Sequence, residues 1–104
     1  MPADIRELHF DFPATTGRPQ FENQTVGFGS PVMTHSAALK GFDIHFENGD
    51  HHILRETISL STSVNPSQPN DVRVDIEFLL RDDSGNIDDP YSGFVDVLVV
   101  ANVA

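Results

Sequence analysis

The chain predicts an all-β domain of six antiparallel strands, a sandwich or a small barrel, on three observations. Six runs of residues alternate apolar and polar side chains with a period of two, the signature of strands with one buried face. Short clusters of Pro, Gly, Asn, Asp and Ser separate these runs. No window of ten or more residues keeps a helical period. The length, 104 residues, suits one domain, which at that size buries roughly 60–70% of its extended surface.

In the first strand Leu8, Phe10 and Phe12 alternate with Glu7, His9 and Asp11, and Pro13 is expected to stop it. Residues 15–23 are polar and turn-rich, and are expected to wrap across one end of the sheets. Thr25-Val26-Gly27-Phe28 reads as a short second strand ended by Gly29-Ser30-Pro31. Ala38, Phe42, Ile44 and Phe46 define the inner face of a third strand, with Lys40 as the exception. Leu54, Ile58 and Leu60 give a fourth, interrupted on that face by Glu56. The cleanest pattern is the fifth: Val72, Val74, Ile76, Phe78 and Leu80 against Arg73, Asp75, Glu77 and Arg81.

The sixth strand, over 94–103, is apolar on both faces from Val97 onward, so both faces should be covered. With Phe94, Leu98 and Val100 facing the core, Val95, Val97, Val99, Ala101 and Val103 would point outward. A chain this acidic elsewhere would not leave such a stripe wet, which implies coverage by another subunit. The alternative is a central strand covered within its own domain.

Asn48-Gly49, between two alternating runs, is a strong short-range hairpin signal, and His45, His51 and His52 crowd around it. A two-residue turn would set His45 opposite His52, a pair able to share a zinc or nickel ion. That register splits Leu54, Ile58 and Leu60 from Phe42, Ile44 and Phe46, since a slip of one residue reverses every side chain. Burial of large side chains, about 1.5–3 kcal/mol each, favours an odd-numbered loop instead. His45 and His51 then lie on the outer face, and adjacent His51 and His52 are poor joint ligands. Metal binding by His45, His51 or His52 stays open beside solvated or interfacial histidines without an ion.

The formal charge is −10, from 6 basic and 16 acidic side chains. Such a surface repels phosphate, so neither nucleic acid nor anionic membrane is an expected partner. Without cysteine there is no disulfide framework and no thiolate zinc site. No apolar stretch approaches the ~20 residues of a membrane span. The first residues lack a secretory signal, so the expected location is the cytosol or export without a cleavable signal.

The run Asp82-Asp83-Ser84-Gly85-Asn86-Ile87-Asp88-Asp89 suits a hard cation such as calcium, and equally an ordinary acidic turn. No Gly-x-Ser-x-Gly elbow, cysteine nucleophile or His-Glu-x-x-His helix occurs, and no enzyme and no cofactor are expected. Tyr91 offers a ring for stacking on a sugar or a partner, or for packing over the start of the last strand.

Several stretches together resemble the H-type lectin domain of snail agglutinins and discoidins. Val26-Gly27-Phe28-Gly29-Ser30-Pro31-Val32 is similar to the family's phenylalanine-to-proline start, and Ala38-Leu39-Lys40-Gly41-Phe42-Asp43 to its apolar strand ending in an aspartate. Residues 53–61, Tyr91-Ser92 and Val95-Asp96-Val97-Leu98-Val99-Val100-Ala101 resemble its following and closing strands. The resemblance covers residues 25–104, with 1–24 as an N-terminal strand and wrapping segment of the same single domain. It implies a six-stranded antiparallel β-sandwich, a trimer or hexamer, and calcium-independent binding of galactose-type sugars between subunits. Tyr91 matches a sugar contact of the family. The family's fourth-strand arginine falls near His52, with Arg55 three residues on. The family's tryptophan-histidine pair is replaced by residues 85–90, leaving Asn86 and Asp88 as the polar candidates there. The expected function is therefore carbohydrate binding by a homo-oligomer, with an adaptor or structural protein-binding module as the alternative.

Overall fold

Strand pairing defines two layers that the chain order does not foreshadow. The computed structural model describes residues 3–16, 18–47, 53–82 and 90–104. Six strands run β1 (Ala3–Thr16), β2 (Gln20–Gly27), β3 (Val32–Phe46), β4 (Ile53–Ser63), β5 (Asp71–Asp82) and β6 (Pro90–Val103). They form two three-stranded antiparallel sheets, β1-β6-β3 and β2-β5-β4. The fold is an all-β sandwich. Among consecutive strands only β4 and β5 pair as neighbours; every other connection passes from one sheet to the other. At ~3.3 Å per residue, the 15 residues of β3 span about 50 Å, which matches the 50 Å long axis.

The expected hairpin is corrected here. β3 pairs with β6 and β4 pairs with β5, so the strands on either side of Asn48-Gly49 lie in different sheets. Both hairpin registers fall with it, including the facing of His45 and His52. A turn dipeptide bends the backbone locally, but pairing goes to whichever strand buries the most apolar surface.

β5 and β6 are the two central strands, and their apolar faces meet. Val72, Val74, Ile76, Phe78 and Leu80 of β5 are buried, as are Tyr91, Val95, Val97, Val99, Ala101 and Val103 of β6. The outward valine stripe is thus overturned: those valines face inward, while Phe94, Leu98 and Val100 are half-buried on the other face. The inward parity puts Asp96 outside, where its carboxylate is solvated. The opposite parity would bury it, at a cost no valine contact offsets. The covered central strand of a single domain accounts for the pattern, and the stripe no longer argues for a second subunit.

Three further boundaries differ from expectation. Pro13 does not end β1; it sits in an irregularity between Phe12 and Thr15, after which pairing with β6 resumes. Residues 20–24 are not a wrap but the first part of β2, in register with β5. In β3 a bulge between Leu39 and Gly41 takes up Lys40, so that Ala37 and Leu39 before it, and Phe42, Ile44 and Phe46 after it, share the face of Val95 and Val97. Ala38 points outward.

Phe12 stacks on Phe78 at 4.2 Å between ring centroids, and Phe78 lies 5.8 Å from Tyr91, which joins the two sheets at one end. Nδ1 of His35 and the Thr62 hydroxyl, 2.7 Å apart, bridge β3 to β4. The amides of Phe28 and Val32 donate to the Asn70 and Pro69 carbonyls and hold the β2–β3 connection against the β4–β5 loop.

Gly93 marks the tightest approach among the described glycines. A Cβ there would stand 1.8 Å from the Asp43 carbonyl oxygen, whereas one at Gly41 would meet nothing within 4 Å. Gly93→Ala should therefore cost about 3 kcal/mol or prevent folding. Gly41→Ala should change stability by less than about 1 kcal/mol. Urea denaturation of the two variants checks both.

Candidate functional site

The outer face of the β1-β6-β3 sheet brings His9 and His45 together with several carboxylates, and these groups are engaged with one another. Directly across the β1–β6 ladder, Nδ1 of His9 meets Asp96 Oδ1 at 2.5 Å, and its Nε2 meets Asp11 Oδ1 at 2.9 Å. The ring stacks on Phe94, with centroids 5.4 Å apart. Hydrogen bonds to Asp96 and then Asp11 raise the His9 pKa, because only the imidazolium can donate from both nitrogens. Lys40 Nζ pairs with Glu7, and that contact raises the lysine pKa. His45 lies beside Asp43 at 3.4 Å, Glu47 at 3.8 Å and the Ser92 hydroxyl at 3.3 Å; that hydroxyl also donates to Glu47.

Among the described residues, no group of three or more His, Asp or Glu side chains is placed to hold a metal ion. His45 is one of the three metal candidates; His51 and His52 lie outside the described residues, as do 83–89 of the acidic run with Asn86 and Asp88. Also among the described residues, no helix is long and apolar enough to cross a membrane.

Tyr91 is corrected as a sugar contact. Its side chain is 0% exposed, and its hydroxyl donates to the Phe78 carbonyl at 2.9 Å with the Arg18 carbonyl as a second acceptor. Burial pushes the phenol pKa up. The ring is a core element tying β6 to β5 and offers no face to a ligand. Arg55 is exposed on the outer face of the other sheet, across the ladder from Arg81. The two described candidates therefore do not share a site.

A polar groove lies on the outer face of the β2-β5-β4 sheet. Register places Phe21, Glu77 and Ser59 in one row across the three strands, and Asn23, Asp75 and Ser61 in the next. Thr25, Arg73 and Ser63 form a third. The first two rows, with Arg73 of the third, line a groove of about 340 Å³. Beyond Arg73 a second hollow of about 140 Å³, lined by Thr25, Asn65, Gln68 and Asp71, continues along the strand direction. Phe21 is 70% exposed, the most open large apolar side chain among the described residues. Arg73 is held by Asp75 through Nε at 3.1 and 3.2 Å and through a terminal nitrogen at 2.9 Å. Among the described residues, no side-chain hydrogen bond ties Asn23, Ser59, Ser61 or Glu77.

Reading the sequence as strands from residue 25 misses this groove, because Phe21 and Asn23 then fall in a loop. The available signal is the β4 run Thr57, Ser59, Ser61, Ser63. There every second residue is a hydroxyl, a column that only a strand aligns.

The raised His9 pKa has a signed consequence. Its stabilising effect is complete below the unfolded-state value near 6.5 and is lost as pH rises through the higher folded value. An NMR titration of the ring protons should give a midpoint above 6.5, and Asp96→Asn should bring it down. A wild-type midpoint below 6.5 would contradict the bridging.

No protein-family model, no curated protein and no solved structure matches this chain.

Proposed function

We propose that the chain is a non-catalytic carbohydrate-binding module of H-type lectin-like fold, and that its ligand lies in the groove beside Phe21. The observation that carries this reading is an open aromatic ring in a sheet-face groove lined by free hydroxyl, carboxamide and carboxylate groups. The C–H face of a pyranose is apolar enough to pack on an aromatic ring, while its hydroxyls need donors and acceptors around the rim. Phe21 supplies the first; Asn23, Ser59, Ser61 and Glu77 supply the second. The groove's size falls within the range of small-molecule sites. The resemblance of residues 25–104 to H-type lectins supports the same class of ligand.

Assembly as a homo-oligomer, trimer or hexamer, belongs to this proposal, and its support is strand β3. Met33, Leu39 and Phe42, at 55%, 43% and 46% exposure, are three of the five exposed large hydrophobics among the described residues, and all three lie on this edge strand. With Lys40 and Asp43 as its only formal charges, β3 is neutral in a chain of charge −10, so two copies meet there without repulsion. The same stripe favours the second reading, an adaptor module that binds protein through β3.

A glycan array and a calorimetric titration test the first part. At least one neutral oligosaccharide should bind in the micromolar to millimolar range, and Phe21→Ala should weaken it tenfold or more, about 1.4 kcal/mol, without lowering the thermal midpoint. No binding at millimolar saccharide would sink the lectin reading. For assembly, sedimentation equilibrium should give a multiple of the chain mass, reduced to a single chain by Phe42→Glu.

A further inference from the structure

We infer that the saccharide taken by this groove carries a protonated amine, as in a 2-amino-2-deoxyhexose or a short chain of them; the inference rests on the carbohydrate reading above. Across the β2–β5 ladder Phe21 stands directly opposite Glu77. An exposed ring face and a carboxylate side by side attract the same group, since the ring quadrupole is negative over its face and the carboxylate is a full anion. A hydroxyl satisfies the carboxylate alone. An ammonium satisfies both.

The charge balance of the groove points the same way. Its outward side chains include Asp75 and Glu77 against one guanidinium, that of Arg73. Asp75 occupies Arg73 from two directions, so this pair cancels. Glu77 remains, directly across from Phe21; Glu22, in register with buried Ile76, has the opposite parity. Sugars bearing carboxylate or sulfate meet an uncompensated anion there, in a field set by a formal charge of −10. The open Ser59, Ser61 and Asn23 side chains serve the remaining ring hydroxyls, and the second hollow past Arg73 gives a following sugar room along the strands.

The probes are a glucosamine tetramer, its N-acetylated counterpart, a galacturonate tetramer and tetralysine, each titrated by NMR into the full chain at pH 5.5 and low salt. The glucosamine tetramer should bind at least tenfold more tightly than the N-acetylated one, the galacturonate tetramer not at all. Raising salt should weaken the preference, as should raising pH through the amine's own titration. Glu77→Gln should remove it, so that the free and the N-acetylated tetramer bind with equal affinity. Equal binding of free and acetylated tetramers would overturn the amine assignment and leave the carbohydrate reading standing. Absence of binding by any saccharide would overturn both. Tetralysine binding more tightly than the glucosamine tetramer would replace the sugar with a basic protein segment. These wild-type comparisons decide the matter even if Glu77→Gln fails to fold.

Discussion

Two apolar ribbons have to face each other, and the rest of this molecule is arranged around that contact. The β5 ribbon, Val72 to Leu80, and the β6 ribbon, Tyr91 to Val103, hold most of the fully buried side chains. Neither is shielded from water unless it is the middle strand of its sheet with the other sheet across from it. That condition puts β1 and β3 on either side of β6, and β2 and β4 on either side of β5. It also sends nearly every connection across the sandwich. The tight approach of Gly93 to Asp43 and the aromatic link Phe12–Phe78–Tyr91 follow from the same demand, because the sheets close only where backbone and rings can interleave.

With the inner faces committed to each other, the outer faces carry the chemistry, and they differ. On the β1-β6-β3 side the charged groups are paired within the sheet: His9 with two aspartates, Lys40 with Glu7, His45 among Asp43, Glu47 and Ser92. On the β2-β5-β4 side the Arg73–Asp75 pair is flanked by open hydroxyls, an amide, Glu77 and a bare phenylalanine ring. Polar groups already satisfied by neighbours offer little to a ligand. The unsatisfied ones bordering a concavity are where binding can gain free energy.

How much of this was legible in the sequence varies strand by strand. The β5 alternation predicted the burial of Val72, Val74, Ile76, Phe78 and Leu80, because Arg73, Asp75 and Glu77 between them are charged; Leu79, buried on the other parity, lay outside that pattern. β6 allowed two parities, since both faces are apolar from Val97 onward; Asp96 was the residue able to choose between them. In β3 the apolar pattern was real, but the bulge at Lys40 shifted its phase, and alternation alone does not reveal a bulge. Asn48-Gly49 suggested a hairpin that the pairing does not make. Tyr91, beside an acidic turn, was open to stacking on a ligand or to packing over the start of the last strand; β6 begins at Pro90 and carries it inward. The groove went unseen because its three rows come from three strands, brought together only by register.

The amino-acid sequence by itself determined the all-β class, the number of strands and the strongly acidic surface. These follow from period-two alternation, turn residues and charge counts, which are properties of short segments. The tertiary structure alone decided which strands are neighbours, which face of β6 is buried, and that Phe21, Glu77 and Ser59 share one row across three strands. Those outcomes depend on burial and pairing between segments far apart in the chain, where one register is favoured only when the whole core closes around it.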